Sequence, residues 1–83
     1  MEIEKLEINN TELNLIFDFV SLPLINNGQR NNKTVCYFNF KAPNEIIIGE
    51  IIRDENGIVL FDNKEDARDY AIKYIKEKYK TYL

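Results

Sequence analysis

Histidine and tryptophan do not occur in this sequence, and serine (Ser21), cysteine (Cys36) and methionine occur once each. Without imidazole there is no Ser-His or Cys-His pairing to activate a nucleophile, and one thiol alone cannot form an ordinary zinc cage. A single cysteine cannot close an internal disulfide, so a stapled secreted scaffold is excluded and a reducing, cytoplasmic compartment fits best. The three glycines, Gly28, Gly49 and Gly57, are too scattered for a phosphate-binding loop or a dinucleotide fingerprint. The longest apolar run, Ile46-Ile47-Ile48, falls far short of the roughly 20 residues a membrane-spanning helix needs. Met1-Glu2-Ile3-Glu4-Lys5 lacks the basic start and apolar stretch of a signal peptide.

What is present belongs to a globular chain. The hydrophobic share is 45% and the charged share 30% over 83 residues, with no polar stretch long enough to link two cores. One domain over residues 1–83 is expected. A chain this short buries only about 60–65% of its unfolded surface, which leaves little interior for a deep pocket. The eleven asparagines, with abundant Lys and Ile, read as the mark of an AT-rich genome. Asn9-Asn10-Thr11 and Asn32-Lys33-Thr34 match the glycosylation pattern, but without a secretion signal they read as coincidence.

Net charge is −3 and unevenly placed: residues 1–63 hold ten acids and five bases, residues 64–83 four acids and six bases. An acidic balance argues against broad contact with nucleic-acid phosphates.

The pattern along the chain predicts an α+β fold, a small antiparallel meander of three to five strands with one C-terminal helix on one face. Residues 11–22 admit two readings. Leu13, Leu15, Phe17 and Phe19 alternate as in a strand, while Leu13, Ile16, Phe17 and Val20 after Thr11 fit a helix. Aromatic and β-branched content favours the strand, with Ile3 to Ile8 pairing back through a turn at Asn9-Asn10. Pro23 ends the element, and the wholly polar stretch 26–33 is expected to be a loop suited to partner contact. Thr34 to Lys41 reads as a strand with Cys36, Phe38 and Phe40 on one face and Val35, Tyr37 and Asn39 on the other. After a turn at Ala42-Pro43-Asn44, Glu45–Arg53 and Ile58–Phe61 are expected to form a hairpin across Asp54-Glu55-Asn56-Gly57. A helix is expected from Lys64 to about Tyr82, capped by Asp62 or Asn63, with Asp62 and Glu65 at capping-box spacing. Its core-facing stripe is Ala67, Ala71, Ile75 and Tyr82, flanked by Ile72, Tyr74 and Tyr79.

Each piece of candidate chemistry has a plainer explanation. Glu45, Glu50, Asp54 and Glu55 lie close enough in sequence for acid–base work, and Glu50 shares the register of Ile46, Ile48 and Ile52. Such a residue more often marks a sheet rim than a catalytic acid. Asp54-Glu55-Asn56-Gly57 resembles a fragment of a calcium loop whose other ligands are missing, so a hairpin turn is the better reading. Cys36, in register with two phenylalanines, reads as a small buried apolar residue. Tyr37, Phe38 and Phe40 would suit base stacking, but the basic surroundings and the glycine-containing motif of such platforms are absent. Helix lysines paired at i,i+4, Asp69–Lys73 and Lys73–Glu77, read as a solvated face. The tyrosines exceed what one core stripe requires, so some are expected at an interface.

No enzyme, cofactor or metal is expected. In composition the chain is similar to the small inhibitors that phages and other mobile elements encode against host defence systems, a likeness that carries no family motif and assigns no residue a role. The expected function is a non-enzymatic protein-binding module that inhibits or regulates a larger partner by occluding it, a nucleic-acid-handling host-defence protein being the partner class in view. Its expected contact residues are Glu2, Glu4, Glu7, Arg30, Tyr37, Glu50, Asp54, Glu55, Tyr70 and Tyr74. The alternatives are a single-stranded nucleic-acid binder using Tyr37 and the helix lysines, and a homodimerising structural module.

Overall fold

A computed structural model describes residues 1–23 and 30–83, with Arg30 described in its backbone only. Four strands form one antiparallel meander, β1 (Glu2–Ile8), β2 (Thr11–Pro23), β3 (Arg30–Lys41) and β4 (Ile47–Ile51), in the order β1-β2-β3-β4. A two-residue ladder, β5 (Arg53–Asp54) with β6 (Gly57–Ile58), follows, and then one helix, α1 (Lys64–Lys78).

The alternation read from residues 11–22 is strand alternation. Leu13, Leu15 and Phe17 are buried beneath the helix, and Ile16 and Asp18 point to the opposite face. The β1–β2 turn explains the register. Asn9 and Asn10 both take positive φ, 48° and 68°, the requirement of a type I′ turn, whose twist matches that of its strands. That turn sets Ile8 opposite Thr11 and fixes every pair beyond it, Leu6 with Leu13 and Glu4 with Leu15.

α1 lies over β2 and β3. Ala67, Ala71 and Ile75, four residues apart on one helix face, are fully buried. The two alanines let the helix backbone come close to the aromatic layer of Phe17, Phe38 and Phe40 beneath it. Ile52 and Phe61 close the same core from the chain between β4 and the helix.

Four expectations are corrected in detail. Residues 30–33 are not loop but the first residues of β3, paired with Val20–Pro23; residues 26–29 lie outside the described residues. The expected long hairpin shrinks to two pairs, because Ile48 and Glu50 pair with β3 and Ile52 turns into the core, its N–H donating to the Cys36 carbonyl. Of the two expected caps Asn63 is the one used, which sets aside the Asp62–Glu65 capping box: the Asn63 Oδ1 accepts from the Asp66 N–H at 2.8 Å, while Asp62 is drawn aside to the Lys33 ammonium. The helix ends at Lys78 with Tyr79 as its C-cap, so Tyr82 lies beyond it and is 41% exposed rather than in the core stripe.

Candidate functional site

The strand period divides the sheet residues between two faces, and the helix covers only one. On the covered face, helix side chains reach down to acids at both margins. Lys64 Nζ meets Glu2 at 2.8 Å and Arg68 Nε meets Glu4 at 2.5 Å on the β1 side. At the β4 margin Glu50 receives three partners: the Tyr74 hydroxyl donates at 2.6 Å, the Tyr79 hydroxyl at 2.9 Å, and Lys78 Nζ approaches both oxygens at 3.0 and 3.3 Å. Partial burial acts to raise the Glu50 pKa, but hydrogen bonds from Tyr74, Lys78 and Tyr79 outweigh it and hold the carboxyl below its usual range. Burial and the neighbouring carboxylate push both tyrosine hydroxyls up. Three of the expected contact acids, together with Tyr74, therefore fasten the helix to the sheet.

The other expected residues are scattered. Glu7 is exposed on the far end of β1, Asp54 and Glu55 sit at the tip of the β5–β6 turn, and Tyr70 is 41% exposed on the outer helix beside Tyr74 and Phe61. The Arg30 side chain lies outside the described residues. Glu2 and Glu4 on β1 and Glu50 on β4 occupy opposite margins of the sheet, so these acids do not form one patch.

Cys36 is buried, its thiol pushed up to about 12 by desolvation, and so it stays protonated at neutral pH. Among the described residues no group of three or more metal-ligating side chains converges, and no described helix is long and apolar enough to cross a membrane.

The uncovered face is different. One row of side chains crosses all four strands there: Ile3, Ile16, Tyr37 and Ile51, each opposite the next in register. Ile3 is 58% exposed and the other three are half-buried without helix cover. The neighbouring row, Lys5, Asn14, Asn39 and Gly49, is polar, with Asn14 Nδ2 donating to Asn39 Oδ1 at 2.8 Å. Gly49 contributes no side chain, so its place is a notch beside Tyr37 and Ile51, part of an open groove of about 530 Å³. A Cβ at Gly49 would stand 3.2 Å from the Phe38 carbonyl oxygen and 3.3 Å from the Asn39 Cβ.

Of the expected contact residues only Tyr37 belongs to this row. Ile3, Ile16, Ile51 and Gly49 escaped the reading of the sequence, although a signal was present: Ile16, Val20, Val35, Ile47 and Ile51 place apolar side chains on the parity opposite the core. A half-solvated antiparallel strand carries polar residues there.

The fold is a two-layer α+β meander with one sheet face left uncovered by the helix. No protein-family model, curated protein or solved structure matches the chain.

Proposed function

We propose that this protein is a non-enzymatic module that acts by docking another polypeptide on its uncovered sheet face. The observation that carries the reading is the row Ile3, Ile16, Tyr37 and Ile51, which lines up an apolar stripe across the full width of an otherwise open sheet. Contiguous exposed apolar surface rimmed by polar groups is the property of protein contact sites, and tyrosine is enriched in them. A module of this kind works by contact and not by bond making, and the polypeptide that it docks has the contacted surface occluded.

Charge favours a protein over a nucleic acid as the occupant. The face carries Lys5, Lys33 and Lys41 against Glu7, Glu12 and Asp18, and Lys33 is engaged by Asp62. Three bases balanced by three acids give no net attraction for a phosphate backbone, which rewards unopposed cations.

A photo-crosslinking residue placed at Tyr37, and as a control at Asp69 on the helix exterior, tests the reading in living cells. Discrete polypeptide adducts through position 37 and not through position 69 are expected. Adducts through 69 alone, or none through 37, would overturn it. Single-stranded oligonucleotide at low salt should leave the protein unshifted in electrophoresis.

A further inference from the structure

We infer that the polypeptide seated on the uncovered face is a second copy of this chain, packed sheet against sheet about a two-fold axis parallel to the strands. The inference rests on the docking reading above and adds the identity of the occupant.

The first argument is the apolar row itself: Ile3, Ile16, Tyr37 and Ile51 present contiguous apolar surface that a matching surface would cover.

The second argument is self-complementarity. A two-fold axis parallel to the strands keeps every cross-strand row in place and exchanges β1 with β4 and β2 with β3. Ile16 then faces Tyr37 of the second copy and Ile3 faces its Ile51, so the apolar row lies on itself. In the next row Lys5 faces the notch at Gly49 of the second copy, which has room for a long side chain, and Asn14 faces its Asn39. One row further, Glu12 on β2 neighbours Lys41 on β3, and the exchange sets each Glu12 above a Lys41, twice by symmetry. Sheets stacked in this way pack about 10 Å apart with strands aligned to within about 30°. The face carries three bases and three acids where the whole chain carries −3, so less charge repulsion opposes two copies here than over the rest of the surface.

The test is sedimentation velocity from about 1 μM to 1 mM, a range spanning weak and tight association. Wild type should run at twice the chain mass over the upper part of that range. Ile16→Glu should run as a monomer whose circular dichroism matches wild type. Glu12→Lys and Lys41→Glu, both at exposed positions, should each weaken the dimer about tenfold, and the double exchange should restore it, because the same pair is re-formed with its signs reversed. A monomer at every concentration, a dimer indifferent to Ile16→Glu, or a double exchange weaker than both single variants would each overturn the inference. The Tyr37 crosslink separates the two levels. An adduct with a different polypeptide from a monomeric protein sinks self-association and leaves the docking reading standing, whereas no adduct at Tyr37 sinks both.

Discussion

Glu50 shows how one side chain can be placed by periodicity and still have its role decided by distant partners. Its parity with Ile48 sets it on the covered face, and that much is readable from β4 alone. Its three partners lie 24, 28 and 29 residues away on a helix whose lateral position no local pattern specifies. Because those partners hold the folded-state pKa below its unfolded value, the ionised carboxylate stabilises the fold fully above the unfolded pKa, about 4.3. That stabilisation is lost as pH falls through the lower, folded value. Glu50→Gln should therefore lower stability at pH 7 by about 1–2 kcal/mol, the scale of a charge-assisted hydrogen bond that is partly exposed. The two proteins should converge as pH falls below the ordinary carboxylate range, where the wild-type side chain itself becomes neutral. Urea unfolding across that range checks it, and a constant difference at all pH values would refute it. Cys36 makes a second prediction at the same scale. A thiol buried between strands and held near 12 should resist disulfide-exchange reagents at pH 8 in the native protein and react within seconds once the chain is unfolded.

At the scale of elements, strand parity and the helix stripe were legible because both follow from a local period that burial then amplifies. Boundaries were less so, and each error has a physical cause. Asp62 and Asn63 are equally good caps by residue type, but Lys33 across the sheet engages Asp62 and leaves Asn63 to bond the Asp66 N–H. Asn63→Ala should therefore cost about 1 kcal/mol in thermal or urea unfolding, and Asp62→Ala distinctly less, since it loses only an exposed ion pair. The reverse order would show that the cap is misplaced. A similar contest shortened the expected hairpin, because Ile47 to Ile51 take β3 as their partner and leave only Arg53 and Asp54 to pair with Ile58 and Gly57. The turn at Asn9-Asn10 was legible in position, and its two positive φ angles add a further expectation. Asn10→Gly should be neutral or stabilising, whereas Asn10→Val, β-branched in a left-handed conformation, should cost about 1–2 kcal/mol and loosen the β1 register.

The cross-strand row on the uncovered face belongs to the scale of the whole molecule and was invisible in the sequence for that reason. Ile3, Ile16, Tyr37 and Ile51 are spread over 48 residues, and only the combined registers of three strand pairs bring them into line. The same registers divide the molecule into zones of unequal stability. Leu13 to Phe17 and Cys36 to Phe40 lie in inner strands beneath the helix, with bonded chain on both sides. Beyond Phe17 no β1 residue accompanies β2, and the Thr34–Phe61 bridge is the last described pairing on the other side of β3, so Val20 to Pro23 and Arg30 to Lys33 form a two-stranded arm next to Phe19, which remains 53% exposed. A two-stranded ribbon without a covered face is marginal in water. Amide hydrogen exchange should therefore report opening free energies near the global value in the inner segments and no more than about 2–3 kcal/mol in the arm. The Glu50→Gln variant sharpens the test: loosening the helix should lower protection of the inner amides by its full stability loss and leave the arm unchanged, because the arm already opens without unfolding the core. Equal losses in both zones would mean that arm and core unfold as one unit, and that the ribbon draws its stability from contacts beyond its own two strands.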